Sequence, residues 1–143
     1  MIKNNIYATC VDIQSQGILI IGKSGSGKSD LALRLIEYKN AILVSDDRTD
    51  VYEEQGKLFA TQPQEIKGLL EVRGVGIIKQ DCIEKSEIKL VVNLVSDMQQ
   101  VERMPIERFY EINGISIPLL YLYPFEVSAV DKVVIKLKAN LEK

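Results

Sequence analysis

Gly22-Lys23-Ser24-Gly25-Ser26-Gly27-Lys28-Ser29 is the stretch on which the reading of this chain turns. It satisfies G-x-x-x-x-G-K-[ST] in full, the pattern of a phosphate-binding loop. Each residue type has a physical reason. Glycine lets the backbone take tight dihedrals and bring its N–H groups against phosphate oxygens. A helix that starts there aims the positive end of its dipole at the same anion. Lys28 is placed to reach the β- and γ-phosphates, and the Ser29 hydroxyl to bind magnesium. The spacing is not the G-x-G-x-x-G of a dinucleotide fingerprint.

The flanks agree with the loop. Before it, Ile18 to Ile21 is an apolar run that reads as a buried strand. After it, Lys28 to about Lys39 reads as a helix, with Leu31 and Leu35 on one face and Ala32 and Ile36 extending that face. Downstream, Ala41 to Ser45 is another apolar run, and it ends in Asp46 and Asp47. A strand ending in Asp just after a phosphate-loop helix brings a carboxylate beside the magnesium when the two strands are close in the sheet. A pair permits a division of labour, one Asp on the metal and the other taking a proton from an attacking hydroxyl. Val91 to Asp97 offers a rival acid after a strand. Glu71 and Arg73 lie two apart and share a face if they stand on a strand. The residues alone leave open whether that face holds metal and phosphate or is a solvated ion-pair face.

The remaining elements set the fold class. Tyr7 to Ile13 and Lys89 to Val95 read as strands, and Val51-Tyr52 and Leu58 to Ala60 as a hairpin around Gly56. Glu71 to Ile78, interrupted by Gly74 and Gly76, reads as one strand with a tight or bulged start. Ser128 to about Leu141 reads as a closing helix, with Ser128 and Asp131 resembling a capping box and Val130, Val133, Val134, Leu137 and Leu141 as its apolar face. The expectation is an α/β protein, a P-loop mixed sheet with few helices, over a single domain spanning residues 1–143.

Bulk properties narrow the function. The chain has 143 residues, 46% hydrophobic and 27% charged, as expected of a soluble globular protein. A net charge of -2, from 18 basic and 20 acidic residues, gives no broad footprint for nucleic acid. No apolar run approaches the ~20 residues that span a membrane, and residues 1–5 carry no apolar signal-peptide core. Cys10 and Cys82 match no metal spacing, and there is no His, which argues against zinc. Reduced, buried thiols in a cytoplasmic protein are the simplest expectation.

Segments in order along nearly the whole chain resemble the catalytic domain of HPr kinase/phosphorylase. They are Ala8-Thr9-Cys10-Val11, the phosphate loop continuing through Ser29 to Leu35, and Leu43 to Arg48 with its Asp-Asp-Arg. Gly68 to Ile77, containing Glu-Val-Arg-Gly-Val-Gly-Ile, follows, then Glu102-Arg103-Met104-Pro105 and Pro124 to Ala129. The phosphate loop is shared by many families; the Asp-Asp-Arg and Glu-Val-Arg-Gly-Val-Gly-Ile segments are far more specific. The chain is most similar to the short form, without an extra N-terminal domain, found in alphaproteobacteria. The resemblance implies a fold related to phosphoenolpyruvate carboxykinase and a hexameric assembly. It also implies transfer from ATP with Mg2+ to a serine of HPr, a phosphocarrier protein, and the phosphorolytic reaction in which phosphate attacks phosphoserine and pyrophosphate leaves.

Carried over by position, the resemblance makes Lys28 and the loop from Gly22 to Ser29 the phosphate site and Asp46 the general base. Asp47 and Glu71 join Ser29 in support of magnesium. Arg73 stabilises phosphate charge or the loop holding Glu71, and Arg103 falls where the family has an Arg linked to phosphorolysis. Two departures stand out. Tyr7 occupies a position where a His is common, and the Gly-Arg-Asn run of the longer enzymes is missing. A kinase of a small molecule and a catalytically impaired ATP-binding sensor remain the alternative readings.

Overall fold

A computed structural model describes residues 2–141, apart from the Leu141 side chain. The strands are β1 (Asn4–Ile6), β2 (Ala8–Ile13), β3 (Gln16–Ile21), β4 (Ile42–Ser45), β5 (Thr49–Glu54), β6 (Lys57–Thr61), β7 (Leu69–Val72), β8 (Gly76–Lys79), β9 (Lys85–Leu94), β10 (Arg108–Ile112) and β11 (Ile115–Leu122). The helices are α1 (Lys28–Lys39) and α2 (Ala129–Leu141). The mixed sheet with few helices is therefore what the chain forms.

The ten-residue β9 is the axis of the sheet. Along one side it pairs in parallel with β3, from Gly17↔Ile88 to Ile21↔Asn93. Its other partners divide its length: β6 runs antiparallel beside its first residues, Phe59↔Glu87, and β11 runs parallel beside its last, Leu119↔Val91. Beyond β3 come β2 and then β4, both pairings antiparallel, while beyond β6 come β5 and β1. Because β2 is antiparallel to both neighbours, β3 and β4 are parallel to each other. Their carboxyl ends emerge at one edge of the sheet, beside the start of β2.

Both faces are covered, which explains unbroken apolar runs in the central strands. Ile18, Ile20, Leu90 and Val92 face α1 and α2, in a core with Leu31, Leu35, Val133 and Leu137. Leu19 and Val91 face the other way, into a second cluster with Cys10, Val44, Val51, Leu58 and Leu119. The period of two is broken once. Between Gly17 and Ile18 the register on β9 jumps from Ile88 to Leu90, so Lys89 is the extra residue of a bulge, and Ile88 lies in the second cluster and Leu90 in the first. Gly17 is required there, since a Cβ would lie 2.7 Å from the Glu87 carbonyl oxygen.

Four points differ from expectation. Glu71 to Ile78 is not one strand but two, β7 and β8, folded as a separate antiparallel hairpin about Gly74. Gly74 takes φ +86, which turns the chain back. The strand expected from Lys89 begins at Lys85, because its first residues are polar and only alternately buried. The hairpin β10–β11, absent from the expectation, turns at Asn113-Gly114 with φ +52 and +78, a strong hairpin dipeptide. On α2 the expected apolar face is formed by Val130, Val133, Val134 and Leu137; Leu141 belongs to it in the sequence reading, but its side chain lies outside the described residues. Ser128 and Asp131, read as a capping pair, have partners elsewhere: the Ser128 hydroxyl donates to Glu126 Oε1 at 3.2 Å, and Asp131 Oδ1 accepts from Lys39 Nζ at 2.6 Å.

Candidate functional site

The loop closing β3 runs straight into α1, and its glycines take the conformations that the motif demands. Gly25 and Gly27 have φ +79 and +104, and Gly27 is the residue before the first turn of α1. A Cβ on Gly27 would also lie 3.0 Å from the ring of Phe125, so the position excludes side chains twice over. Lys28 is only 6% exposed. Its Nζ donates to the carbonyls of Gly22 at 3.0 Å and Lys23 at 3.2 Å, so the ammonium is folded back onto its own loop.

Asp46, at the carboxyl end of β4, is the centre of the site and is 6% exposed. Its Oδ1 accepts from the Ser29 hydroxyl at 2.6 Å and from the Thr9 hydroxyl at 3.0 Å, and its Oδ2 accepts from the Glu71 N–H at 3.0 Å. Four elements thus meet on one carboxylate: the start of α1, β2, β4 and β7. With about four lone-pair positions on a carboxylate and three of them engaged, one position on Oδ2 stays open. Asp47 is exposed and sits at φ +67, an unusual backbone for a side chain other than glycine, which Asp tolerates better than most. Its N–H donates to the Thr9 hydroxyl at 3.0 Å, so Thr9 gives to one Asp and receives from the next.

A cleft of about 820 Å³ opens over this centre, lined by Lys28, Ser29, Asp46, Asp47, Glu71 and Arg73 together with Ser24, Gly25 and Gly27 of the loop. Its wider walls are aromatic and apolar: Tyr7, Leu33, Ile66, Leu69, Ile77 and Phe125. The structure does not bring Arg103 there. It is exposed in the segment between β9 and β10 and is not among the lining residues. The rival acid Asp97 is also away from the cleft, and its carboxylate accepts from the Gln99 N–H at 2.9 Å. Among the described residues no group of three or more His, Cys, Asp or Glu could by itself cage a metal.

Thr9 escapes a reading by sequence: it lies inside a strand that reads as buried, with no local pattern marking its hydroxyl. Phe125 has a partial signal, because Pro124 and Phe125 follow the last central strand, where chains leave a parallel sheet above its ligand-binding edge. Away from the cleft, the free thiol Cys10 is wholly buried, and burial, with the nearby Asp12 carboxylate, pushes its pKa far up.

A strand, a glycine-rich loop with φ-positive glycines, a helix begun by Lys and Ser, and an acid from a parallel strand bonded to that Ser define a P-loop α/β protein. The comparisons make this narrower. The family described as HPr Serine kinase C-terminal domain matches residues 2–140, and the chain belongs to it. It is 36% identical over 128 residues to an HPr kinase/phosphorylase of Clostridium botulinum, covering 82% of this chain and 42% of that protein. An HPr kinase/phosphorylase of Lactobacillus acidophilus is 31% identical over 148 aligned positions, covering 96% of this chain and 45% of the relative. The chain therefore spans somewhat under half the length of these curated relatives. Among solved structures, the HPr(Ser) kinase/phosphatase of Coxiella burnetii superposes with a TM-score of 0.83 at 26% identity, covering 99% of this chain and all of that one.

Proposed function

We propose that this chain is a P-loop catalytic domain that transfers the γ-phosphoryl group of ATP to a serine of an HPr-like phosphocarrier protein, and that it also phosphorolyses the product. The relatives carry the names HPr kinase/phosphorylase and HPr(Ser) kinase/phosphatase. The observation that carries the reading is the 2.6 Å bond from Ser29 to Asp46. It brings the hydroxyl that the motif reserves for magnesium against the acid that the chemistry needs.

In this reading the loop amides and Lys28 hold the phosphates, with Gly22 to Ser29 as the binding segment. Ser29, Asp47 and Glu71 support magnesium, which when bound neutralises phosphate charge. Asp46 uses its open Oδ2 position to take the proton of the acceptor serine. The serine oxygen forms a bond to the γ-phosphorus, the bond from that phosphorus to the β-bridging oxygen breaks, and ADP leaves. In the reverse-type reaction Asp46 takes a proton from the incoming phosphate, whose oxygen bonds to the phosphoserine phosphorus; the bond from that phosphorus to the serine oxygen breaks, the serine oxygen takes the proton from Asp46, and pyrophosphate leaves. Arg73, at the cleft, balances charge on the transferred group. Arg103 is assigned to phosphorolysis on resemblance alone, and engages only if the segment carrying it moves or a second copy supplies it. Such chemistry asks the protein mainly for positioning and charge neutralisation.

A second division of roles is favoured by the same Ser29–Asp46 bond: Asp46 serves the magnesium side, and the exposed Asp47 takes the proton. Hexameric assembly rests on resemblance. Exposed Met104, Ile106 and Phe109 give an apolar surface that such an assembly would use. A cytoplasmic setting goes with ATP as donor and with two free thiols, and no described helix is long and apolar enough to cross a membrane.

The test is transfer of γ-labelled phosphate from magnesium-ATP to an HPr-like protein, followed by inorganic phosphate. Label on a serine that then leaves as pyrophosphate supports both reactions. ATP binding with no transfer to any acceptor supports an ATP-binding sensor, a reading that Tyr7 at the common His position favours. Faster transfer to a small molecule supports a metabolite kinase.

A further inference from the structure

Tyr7 is the joint where the chain leaves β1 on one arm of the sheet and enters β2 on the other. Tyr7 is 49% exposed and forms part of the cleft wall. Two cations approach it. Lys28 Nζ lies 4.9 Å from the ring centroid, and Arg48 Cζ lies 5.0 Å from it. Lys28 gives two of its three N–H donors to loop carbonyls, which leaves one for the ring. The same guanidinium donates through Nη1 to Asn5 Oδ1 at 3.2 Å, and the Arg48 backbone N–H closes the acid turn onto Asp46 O at 2.7 Å.

The negative face of an aromatic ring attracts a cation, and this ring has two within reach. An exposed tyrosine with a basic neighbour is ordinary. Here, though, one ring of the cleft wall takes both the motif lysine of the phosphate loop and Arg48, which follows Asp46-Asp47 and is not itself a lining residue. We propose that Tyr7 is a positioning residue whose ring holds Lys28 and Arg48 as a preassembled pair of cations for the terminal phosphates of the nucleotide. This rests on the reading of Gly22 to Ser29 as a phosphate loop. Arg48 thereby gains a role that its position outside the motif does not announce.

Two measurements test the proposal separately. In the nucleotide-free protein, the Lys28 side-chain protons should show an upfield ring-current shift in carbon–proton NMR spectra. The shift should be lost in Tyr7→Leu and kept in Tyr7→Phe. In titrations with magnesium-ATP, Tyr7→Leu should bind about fivefold more weakly, the scale of one cation–ring attraction, and Tyr7→Phe should restore the affinity. Arg48→Gln should cost a similar factor, and the double variant Tyr7→Leu/Arg48→Gln less than the product of the two. In turnover the change should fall on KM for ATP and leave kcat nearly unchanged. Thermal melts of each variant separate these effects from a loss of fold. Lys28 shifts indifferent to the ring, or Tyr7→Phe as weak as Tyr7→Leu, overturn the proposal. A wild-type protein that keeps the Lys28 shift but binds no nucleotide refutes the phosphate-loop reading, and the purpose assigned to the pair falls with it.

Discussion

The Ser29 hydroxyl and the Asp46 carboxylate are joined by a 2.6 Å hydrogen bond across 17 residues of sequence. The bond ties the first turn of α1 to the end of β4, two strands away from β3 in the sheet. It gives the two acids unequal surroundings, with Asp46 buried among donors and Asp47 open to the cleft.

That inequality predicts different failures. Asp46→Asn should lower transfer by roughly 10² to 10⁴, the usual worth of a general base, with ATP affinity nearly intact. Asp47→Asn should instead raise the magnesium concentration needed for half-maximal activity. Rates at saturating ATP and a magnesium titration on both variants would decide. If the two patterns are exchanged, the roles are exchanged as well.

Thr9 offers a test away from direct contact with substrate. Thr9→Val keeps the shape but removes one donor to Asp46 and the acceptor of the Asp47 N–H. A buried polar group left unpaired costs about 1–3 kcal/mol, so chemical denaturation should show a loss of that order. Turnover should also fall, because both acids lose a tether. An unchanged denaturation midpoint would show that water replaces the hydroxyl without cost.

Gly27→Ala should be among the more damaging single-methyl changes in the chain. The new Cβ meets Phe125 at 3.0 Å, and φ is +104. Strain of this kind costs about 1–3 kcal/mol, and the loop cannot keep its N–H groups aimed at the phosphates. Calorimetry should find both a lowered Tm and weakened ATP binding. Gly56→Ala is the control for backbone strain alone, since Gly56 has φ +78 with open space around it.

Cys10 predicts the response to alkali. In the folded chain its thiol keeps its proton well above the usual cysteine range, because burial disfavours the thiolate. The unfolded chain loses that proton near pH 8.5. Above that pH the unfolded state therefore binds fewer protons than the native state, and folding stability falls as pH rises, by up to about 1.4 kcal/mol per unit from this group. Denaturation of wild type and Cys10→Ala from pH 8 to 10 should show a steeper decline in the wild type. A thiol reagent should modify the partly exposed Cys82 and leave Cys10 untouched until unfolding.

What could be read in advance follows the range of the forces involved. The strand, loop and helix from Ile18 to Lys39 were legible because their signals are local: an apolar run, glycines at fixed spacing, and a helical stripe of Leu31 and Leu35. Asp46 and Asp47 were legible for the same reason, as acids ending an apolar run. Thr9, the wall at Phe125 and the Tyr7 contacts with Lys28 and Arg48 depend on which strands become neighbours, and no spacing encodes that. The Asn113-Gly114 dipeptide is a local hairpin signal, while Pro118, within β11, is a local signal against a strand. The Gly74 turn was visible as glycine, yet a bulge and a reversal use the same residue.

The position of β9 also sets the order in which the chain can be assembled. β3 is synthesised before β9, with β2 as a ready hairpin partner, but its other edge pairs only with residues 88–93, some seventy positions later. Until then the phosphate loop hangs from a strand with one unpaired edge, a state open to association between nascent chains. Closing such distant pairs is entropically slow. Stopped-flow refolding should accordingly take milliseconds to seconds, the range of proteins dominated by non-local strand pairing. The phosphate loop, synthesised well before β9, would thus be among the last parts of this domain to become rigid.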